Sequence, residues 1–179
     1  SLTISGSGEL DDLTDYMRTG LTGLSLDECD ELETYAYTWQ IHGSAWTKSE
    51  DWSQHSEREL TDAVKEKLRS VNALRRRLTA PLCRFDSATR EANTAVSQAM
   101  ALSELLEALG LAERLSDMAE ELEAMGRQTL AQEYSQLWEL TVSALEQCAA
   151  ILGDTETDRE SFFRLFMPVL SAYDIGTIP

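Results

Sequence analysis

The feature that most constrains this chain is the repetition of helix-initiation signals. Three segments have the capping-box form Ser/Thr-x-x-Glu, and they begin at Ser25, Ser56 and Thr157. Apolar residues three and four positions apart follow each box, and no alternating run long enough for a strand stands out. The sequence therefore predicts an all-α fold, a compact multi-helix bundle of about seven helices with no substantial sheet.

Glycine and proline positions divide this pattern into segments. A short first helix is expected to end near Gly20, and a second helix to run from Ser25 to about Ile41. A third is expected to begin at Ser56, with Leu60 as its first inward-facing residue, and to stop at Pro81. Later helices are predicted at residues 89–109, 113–125, 128–152 and from 157 onward.

The segment between the second and third helices, residues 42–52, is predicted to be a loop that packs on the core. It carries Trp46 and Trp52 among polar residues, and a loop that holds tryptophans is usually fixed in place by burial of their rings.

We expect residues 9–172 to form a single helical domain. Residues 1–8 would be a flexible segment or a remnant of recombinant expression, and residues 173–179 an extended exit segment leading to the rest of a longer polypeptide.

Composition limits the partners and the compartment. The formal net charge is −17, and an acidic chain repels phosphate backbones at long range, so any nucleic-acid contact must be local or made beside a basic partner. Three cysteines with no CxxC pair indicate neither a zinc site nor a disulfide framework, and a reducing, cytoplasmic compartment fits best. No apolar run approaches the length of a membrane span.

Few residues are candidates for catalysis. Asp11, Asp12 and Asp15 have the DDxxD spacing that holds magnesium against a diphosphate, but a second acidic motif and basic diphosphate ligands are missing. Carboxylates in a first helical turn also favour the helix dipole. His42 and His55 lack the spacing of a helical metal site, and no phosphate loop or nucleophile elbow is present. We therefore predict no catalytic residue, metal site or cofactor in this chain.

Two segments are candidate contact surfaces. The hairpin Thr19–Leu24 has glycines spaced three apart between two predicted helices. A simple turn between the helices explains them. The alternative is a helix–hairpin–helix motif, which uses a similar hairpin to offer backbone N–H groups to DNA phosphate. Arg75–Arg77 is the only dense basic cluster. The side chains of three consecutive helical residues point in directions that span some 200°, so they cannot form a single basic stripe. Solvation of these side chains or intramolecular ion pairing is therefore the default interpretation, and contact with phosphate or with a neighbouring domain is the alternative. The candidate contact residues are Arg18, Thr19, Gly20, Gly23, Arg75, Arg76 and Arg77.

A series of short motifs, taken in order, is more specific than any one of them. The series comprises Tyr16-Met-Arg-Thr-Gly-Leu-Thr-Gly-Leu24, Asp30-Glu-Leu-Glu-Thr-Tyr35, Ile41-His-Gly-Ser-Ala-Trp46, Val71-Asn-Ala-Leu-Arg-Arg-Arg-Leu78, Leu102-Ser-Glu-Leu-Leu-Glu-Ala-Leu-Gly-Leu111, Glu133-Tyr-Ser-Gln-Leu-Trp138 and Gly176-Thr-Ile-Pro179. Over nearly the whole chain it resembles the B subunit of the bacterial ATP-dependent helicase–nuclease (AddB, with RexB as its relative). In that family a (Lys/Arg)-Thr-Gly-Leu segment, a Leu-Glu-x-Tyr helix and a Gly-x-x-Trp turn recur in this order.

The resemblance implies a place in a DNA-repair machine. The segment would be the accessory helical domain, called 2B in superfamily 1 helicases, that is inserted into the second motor-like domain. The Walker-A loop and the iron–sulfur nuclease of the family would lie outside it, so none of the family's catalytic residues has a position here. Implied partners are the remainder of the parent polypeptide, an A-type helicase–nuclease subunit and, as a hypothesis, duplex DNA. Two departures are Thr34, where the family usually has asparagine, and the strongly acidic charge, which favours packing over DNA contact.

Three hypotheses follow. The leading one is a non-catalytic accessory domain of a helicase–nuclease that acts in double-strand break repair, orients the motor and contacts the partner subunit. The second is a small all-helical magnesium-dependent phosphate or diphosphate enzyme that uses Asp11, Asp12 and Asp15. The third is a helical protein–protein scaffold unrelated to DNA.

Overall fold

A computed structural model describes the backbone of residues 9–172 and the side chains of residues 13–172. Its helices are α1 (Glu9–Arg18), α2 (Leu26–Thr38), α3 (Asp62–Glu91), α4 (Ala95–Ala108), α5 (Leu111–Ala124), α6 (Gln128–Leu152) and α7 (Arg159–Ala172). Within residues 9–172 the only β pairing is one isolated antiparallel bridge between Thr94 and Glu156. The prediction of an all-α fold with about seven helices is confirmed. The predicted flexible and exit segments lie outside the described residues.

Two compact units divide the chain inside α3, between Cys83 and Arg84. Each unit has its own hydrophobic core. The single helical domain expected over residues 9–172 stays a prediction.

The core of the first unit combines residues from α1, α2, α3 and the tryptophan loop, residues 42–52. Its buried apolar side chains include Leu13, Met17, Leu32, Tyr35, Ala36, Trp46, Trp52, Val71, Leu74 and Leu78. A short 3₁₀ helix, Gly43–Ala45, lies within the loop, and both tryptophans are buried, as predicted. Burial of these two rings anchors the loop without a strand or a disulfide.

Helix α2 has defined signals at both ends. The predicted capping box forms: Glu28 N–H donates to Ser25 Oγ at 3.2 Å, and Ser25 N–H donates to Glu28 Oε2 at 2.8 Å. The helix ends at Thr38, three residues before the expected Ile41. The reason is a Schellman-type end, in which Ile41 N–H bonds the Ala36 carbonyl at 2.8 Å and the intervening Gln40 takes a φ of 50°.

Helix α3 begins later than its sequence signal. The capping box expected at Ser56 does not start a helix; instead Thr61 Oγ1 accepts from Val64 N–H at 3.3 Å, and the helix begins at Asp62. Leu60, which was expected to face inward, is 52% exposed, whereas Val64 is buried. An additional helical turn from Ser56 would cost conformational entropy without burying apolar surface. The helix therefore starts later, where Val64 is buried in its first turn.

The expectation that Pro81 stops the third helix is wrong, because α3 continues to Glu91. Proline removes one i→i−4 bond and crowds the preceding turn, a cost that packing can offset. Leu78 before it is buried in the first core, and Phe85 after it is buried in the second. Tertiary packing on both sides therefore holds the helix through the proline.

The second unit packs α4, α6 and α7 around small and aromatic side chains. The buried apolar residues of this core cluster are Phe85, Ala95, Ala99, Ala101, Leu102, Ala144, Leu145, Cys148, Phe162 and Phe166. The continuous helix expected over residues 89–109 is wrong, because the chain leaves the helix between α3 and α4 and Thr94 caps α4. Buried Gln98 donates through Nε2 to the carbonyls of Thr89 and Ala92 at the end of α3, which stabilises the break.

The start of α7 also differs from its sequence signal. Asp158, and not Thr157, caps this helix by accepting from Ser161 N–H at 2.8 Å. The predicted ends near Gly110, Gly126 and Gly153 agree with the structure, in which these glycines follow α4, α5 and α6. Helix ends with a glycine signal were thus easier to predict than helix starts with competing caps.

Candidate contact surfaces

The hairpin Thr19–Leu24 is a tight turn between α1 and α2. Thr19 Oγ1 donates to the Tyr16 carbonyl at 2.7 Å and accepts from Leu21 N–H at 3.2 Å. Gly20 and Gly23 have φ angles of 74° and 75°, in the left-handed region that side chains with a Cβ rarely adopt. The backbone of the turn therefore depends on glycine at both positions.

Arg77 ties this hairpin to α3. Its Nη2 donates to the Gly23 carbonyl at 2.8 Å, and its Nη1 lies 2.6 Å from Glu28 Oε1. The backbone hydrogen bond from Ser25, followed by the bond from Arg77, holds the pKa of Glu28 below its ordinary value. The structure thus brings Gly23 and Arg77 together, and one glutamate both caps α2 and anchors the arginine.

Arg18 lies at the end of α1, beside the hairpin. Its Nη2 is 3.2 Å from Glu33 Oε1, and its side chain is 65% exposed. An exposed pair of this kind contributes about 0–1 kcal/mol, so an incoming anion can replace the glutamate at small cost. Of the four candidate arginines, Arg18 has the most exposed side chain.

Arg75 points in a different direction and is 1% exposed. Its guanidinium donates to the carbonyls of Ala45 and Glu50 at 3.3 and 3.0 Å, and it lies 5.0 Å from the centre of the Trp52 ring. Burial lowers the pKa of this guanidinium. Arg75 therefore binds the tryptophan loop from inside the first unit.

Arg76, the next residue, is half-exposed and pairs with Asp51. Arg75 reaches the backbone of the tryptophan loop and also lies 3.8 Å from Asp51, the partner of Arg76. Arg77 reaches the hairpin and Glu28. This divergence is typical of consecutive residues about 100° apart on a helix. All three side chains make ion pairs within the first unit. Their roles in contact with DNA or a partner stay predictions.

Sequence reasoning missed Asn72, which clamps the tryptophan loop. Asn72 Oδ1 accepts from Trp52 N–H at 2.8 Å, and Nδ2 donates to the Trp52 carbonyl at 2.9 Å. The Trp52 ring stacks on Tyr35 at 5.4 Å and meets Trp46 edge to face at 5.0 Å. An asparagine on the apolar face of a predicted helix, directly after Val71, was the signal available for this role.

No group of three or more His, Cys, Asp or Glu side chains within residues 13–172 is placed to hold a metal ion. The side chains of Asp11 and Asp12 lie outside the described residues, so the magnesium-enzyme hypothesis stays a prediction. Cys29 and Cys148 are buried, and burial raises the pKa of both thiols.

Taken one at a time, no helix in the described part of the chain has both the length and the apolar character needed to cross a membrane. The pair α4 and α5, bent by 51° at their junction, meets the criteria of length and composition only when taken together.

Comparison with known proteins finds relatives that match most of the chain. No family model matches the chain. Proteins named as the B subunit of ATP-dependent helicase/deoxyribonuclease match 92% of it: that of Acetivibrio thermocellus is 33% identical over 169 residues, and that of Ruminiclostridium cellulolyticum is 31% identical over 168 residues. The corresponding protein of Clostridium acetobutylicum is 29% identical over 169 residues. The chain spans about 15% of the length of each of these relatives.

Proposed function

We propose that this chain, which is homologous to a segment of the B subunit of ATP-dependent helicase/deoxyribonuclease, is a non-catalytic accessory segment of such a protein. Its work would be packing against the rest of the polypeptide and the A-type subunit, with local guidance of duplex DNA. The observation that carries the proposal is a similarity that covers 92% of this chain but only 15% of the relative. The helicase and deoxyribonuclease named for the relatives belong to proteins several times longer than the matched segment.

The use of the arginines supports a packing role over a broad DNA-binding surface. Arg75 and Arg77 hold the tryptophan loop and the hairpin, and the net charge of −17 opposes approach to a phosphate backbone. DNA guidance would therefore be confined to the hairpin Thr19–Leu24, with Arg18 as its exposed cation. Backbone N–H groups and a single arginine can position a phosphate without reading sequence.

Co-purification tests the packing proposal. The tagged chain is co-expressed with an A-type helicase–nuclease subunit, and the two are expected to elute together in size-exclusion chromatography. An unrelated acidic helical protein with the same tag is the control. Elution of the A-type subunit with the control, or its complete separation from the tagged chain, would contradict the proposal.

Fluorescence anisotropy with labelled duplex DNA tests the guidance proposal. We expect binding at low salt that weakens as salt rises, and that is lost in Arg18→Glu. Arg69→Glu is a matched control, because Arg69 is exposed on α3, is paired with a glutamate, and undergoes the same change of charge. Equal losses in the two variants, or no binding at low salt, would refute a DNA contact at the hairpin.

A further inference from the structure

A groove of about 560 Å³ lies in the first unit, between α2, the start of α3 and the segment that precedes α3. Tyr35 and Val64 are buried in its floor, and Trp39 and Leu68 are half-buried there. The Tyr35 hydroxyl donates to the Gln54 carbonyl at 2.8 Å, which holds the far wall against α2. The groove thus has an apolar floor and walls fixed by hydrogen bonding.

The rim of this acidic groove carries three carboxylates, from Asp30, Glu31 and Glu57. In contrast to the glutamates near the hairpin, none of the three has an ion pair within residues 13–172. Glu31 and Glu57 each accept a hydrogen bond from a hydroxyl group, that of Ser70 at 3.3 Å and that of Thr61 at 3.1 Å. Lys67 is the one lysine or arginine in the lining, so the rim keeps a net negative charge.

A further polar group of the lining lacks a partner. His55 Nδ1 is buried and has no hydrogen-bond partner among the described residues. This atom has almost no exposed surface, so it is not a contact point for an occupant of the groove. The groove therefore offers an apolar floor and carboxylates that have no ion pair among the described residues.

We propose that the acidic groove docks a basic amphipathic segment of a partner protein. Leucine-like side chains and the aliphatic stems of lysine or arginine would cover the floor, while their cationic ends would reach the carboxylates. The Trp39 ring offers a face for a cation as well. The inference rests on the geometry and charge of the groove and is independent of the proposed helicase–nuclease role.

Charge also selects among the possible occupants. A second copy of this chain would bring a formal charge of −17 toward an acidic rim, and a nucleic acid would bring phosphates toward it. Both meet repulsion at the groove, whereas a basic segment is attracted by the rim and by the chain as a whole. A cationic protein segment is the occupant that the observations favour.

The probe is a labelled amphipathic helical peptide of leucine and lysine, titrated with the full chain at low salt and followed by fluorescence anisotropy. Its controls are a peptide with glutamate for lysine and a scrambled peptide of the same composition. We expect only the first to bind, with an affinity that falls as salt rises. Equal binding of the scrambled peptide would show attraction by net charge alone, and tighter binding of the glutamate peptide would reverse the charge argument; either overturns the proposal.

Matched variants locate the contact. Asp30→Lys with Glu57→Lys is expected to weaken binding by at least about tenfold, a change of about 1.4 kcal/mol. Glu120→Lys with Glu139→Lys makes the same change in net charge at exposed positions of the second unit, and should weaken binding less than about threefold. Similar losses in the two double variants would overturn the proposal.

The floor is tested separately. Trp39→Ala should weaken peptide binding, and because the Trp39 and Tyr35 ring centres lie 6.3 Å apart, circular dichroism and thermal melting check the fold of this variant. Trp39→Phe keeps an aromatic ring and should retain most of the affinity, even if the alanine variant unfolds. Loss of binding in a folded Trp39→Phe variant, or full binding in a folded Trp39→Ala variant, would contradict the predicted contact.

Discussion

The substitution Arg75→Ala is expected to destabilise the first unit far more than Arg76→Ala, although the two residues are neighbours on α3. Arg75 is 1% exposed, whereas the Arg76 side chain is 56% exposed and pairs with an equally exposed Asp51. An exposed pair contributes about 0–1 kcal/mol because water and salt screen it. A buried guanidinium that bonds backbone carbonyls is screened much less.

The magnitude follows from the contacts of Arg75. Two hydrogen bonds from a charged donor contribute about 1.5–3 kcal/mol each, and a desolvated cation over the Trp52 ring adds about 2 kcal/mol. Removing the charge also removes its desolvation cost, which is several kcal/mol. After the substitution the Ala45 carbonyl still accepts from Trp52 Nε1, whereas the Glu50 carbonyl loses the side-chain donor that Arg75 supplied. We expect a net loss of about 3 kcal/mol for Arg75→Ala.

Urea denaturation followed by tryptophan fluorescence is the assay, because Trp46 and Trp52 lie in the affected loop. Arg75→Met separates packing from charge: it fills much of the space, carries no desolvation cost, and should lose less stability than Arg75→Ala. Arg75→Lys keeps the positive charge but lacks the planar guanidinium, so the lysine should not donate to the carbonyls of Ala45 and Glu50 at the same time. Equal midpoints for Arg75→Ala and Arg76→Ala would refute the assignment of Arg75 as the internal anchor of the loop.

Three further predictions use other groups. Folding lowers the pKa of Glu28, so the ionised carboxylate stabilises the folded state fully above the ordinary pKa of 4.5, and this contribution is lost as pH falls through the pKa of the folded state. The melting temperatures of the wild type and of Glu28→Gln should therefore converge in acid. A difference that stays constant with pH would contradict this prediction. Iodoacetamide should alkylate half-buried Cys83 before buried Cys29 and Cys148, as read by peptide mass spectrometry, and equal rates would argue against the burial described. Gln98→Leu removes two hydrogen bonds to carbonyls at the end of α3, and it also removes a buried Oε1 that has no partner among the described residues, so stability should fall by only about 1–2 kcal/mol in urea denaturation monitored by circular dichroism. An unchanged midpoint would contradict a net stabilising role for this side chain.

Local signals in the sequence predicted the fold class and many helix ends. The box at Ser25 had no competing cap within its first turn, and it formed as expected. The box at Ser56 competed with Thr61, and the choice between them depended on which start buried an apolar residue. Pro81 was misread for a similar reason, because the packing on either side of it comes from residues distant in sequence.

The candidate contact residues show the same limit. Helical spacing predicted that Arg75, Arg76 and Arg77 diverge, but it could not identify the one that is buried. That depends on the carbonyls of Ala45 and Glu50, 30 and 25 residues away, and on how the tryptophan loop folds back onto α3. A sequence pattern specifies the directions of side chains on one helix, while the partners in each direction require tertiary structure.

The distribution of ion pairs shows where the proposed DNA contact could lie on an acidic chain. Arg75 cannot be released without loss of the tryptophan loop, and Arg77 cannot be released without loss of bonds to the hairpin and to Glu28. Arg18 differs, because its exposed pair with Glu33 costs little to exchange for a phosphate. A DNA contact is therefore expected at the hairpin and not at the denser arginine cluster, while the unpaired carboxylates of the acidic groove attract cationic segments to a different surface of the same unit.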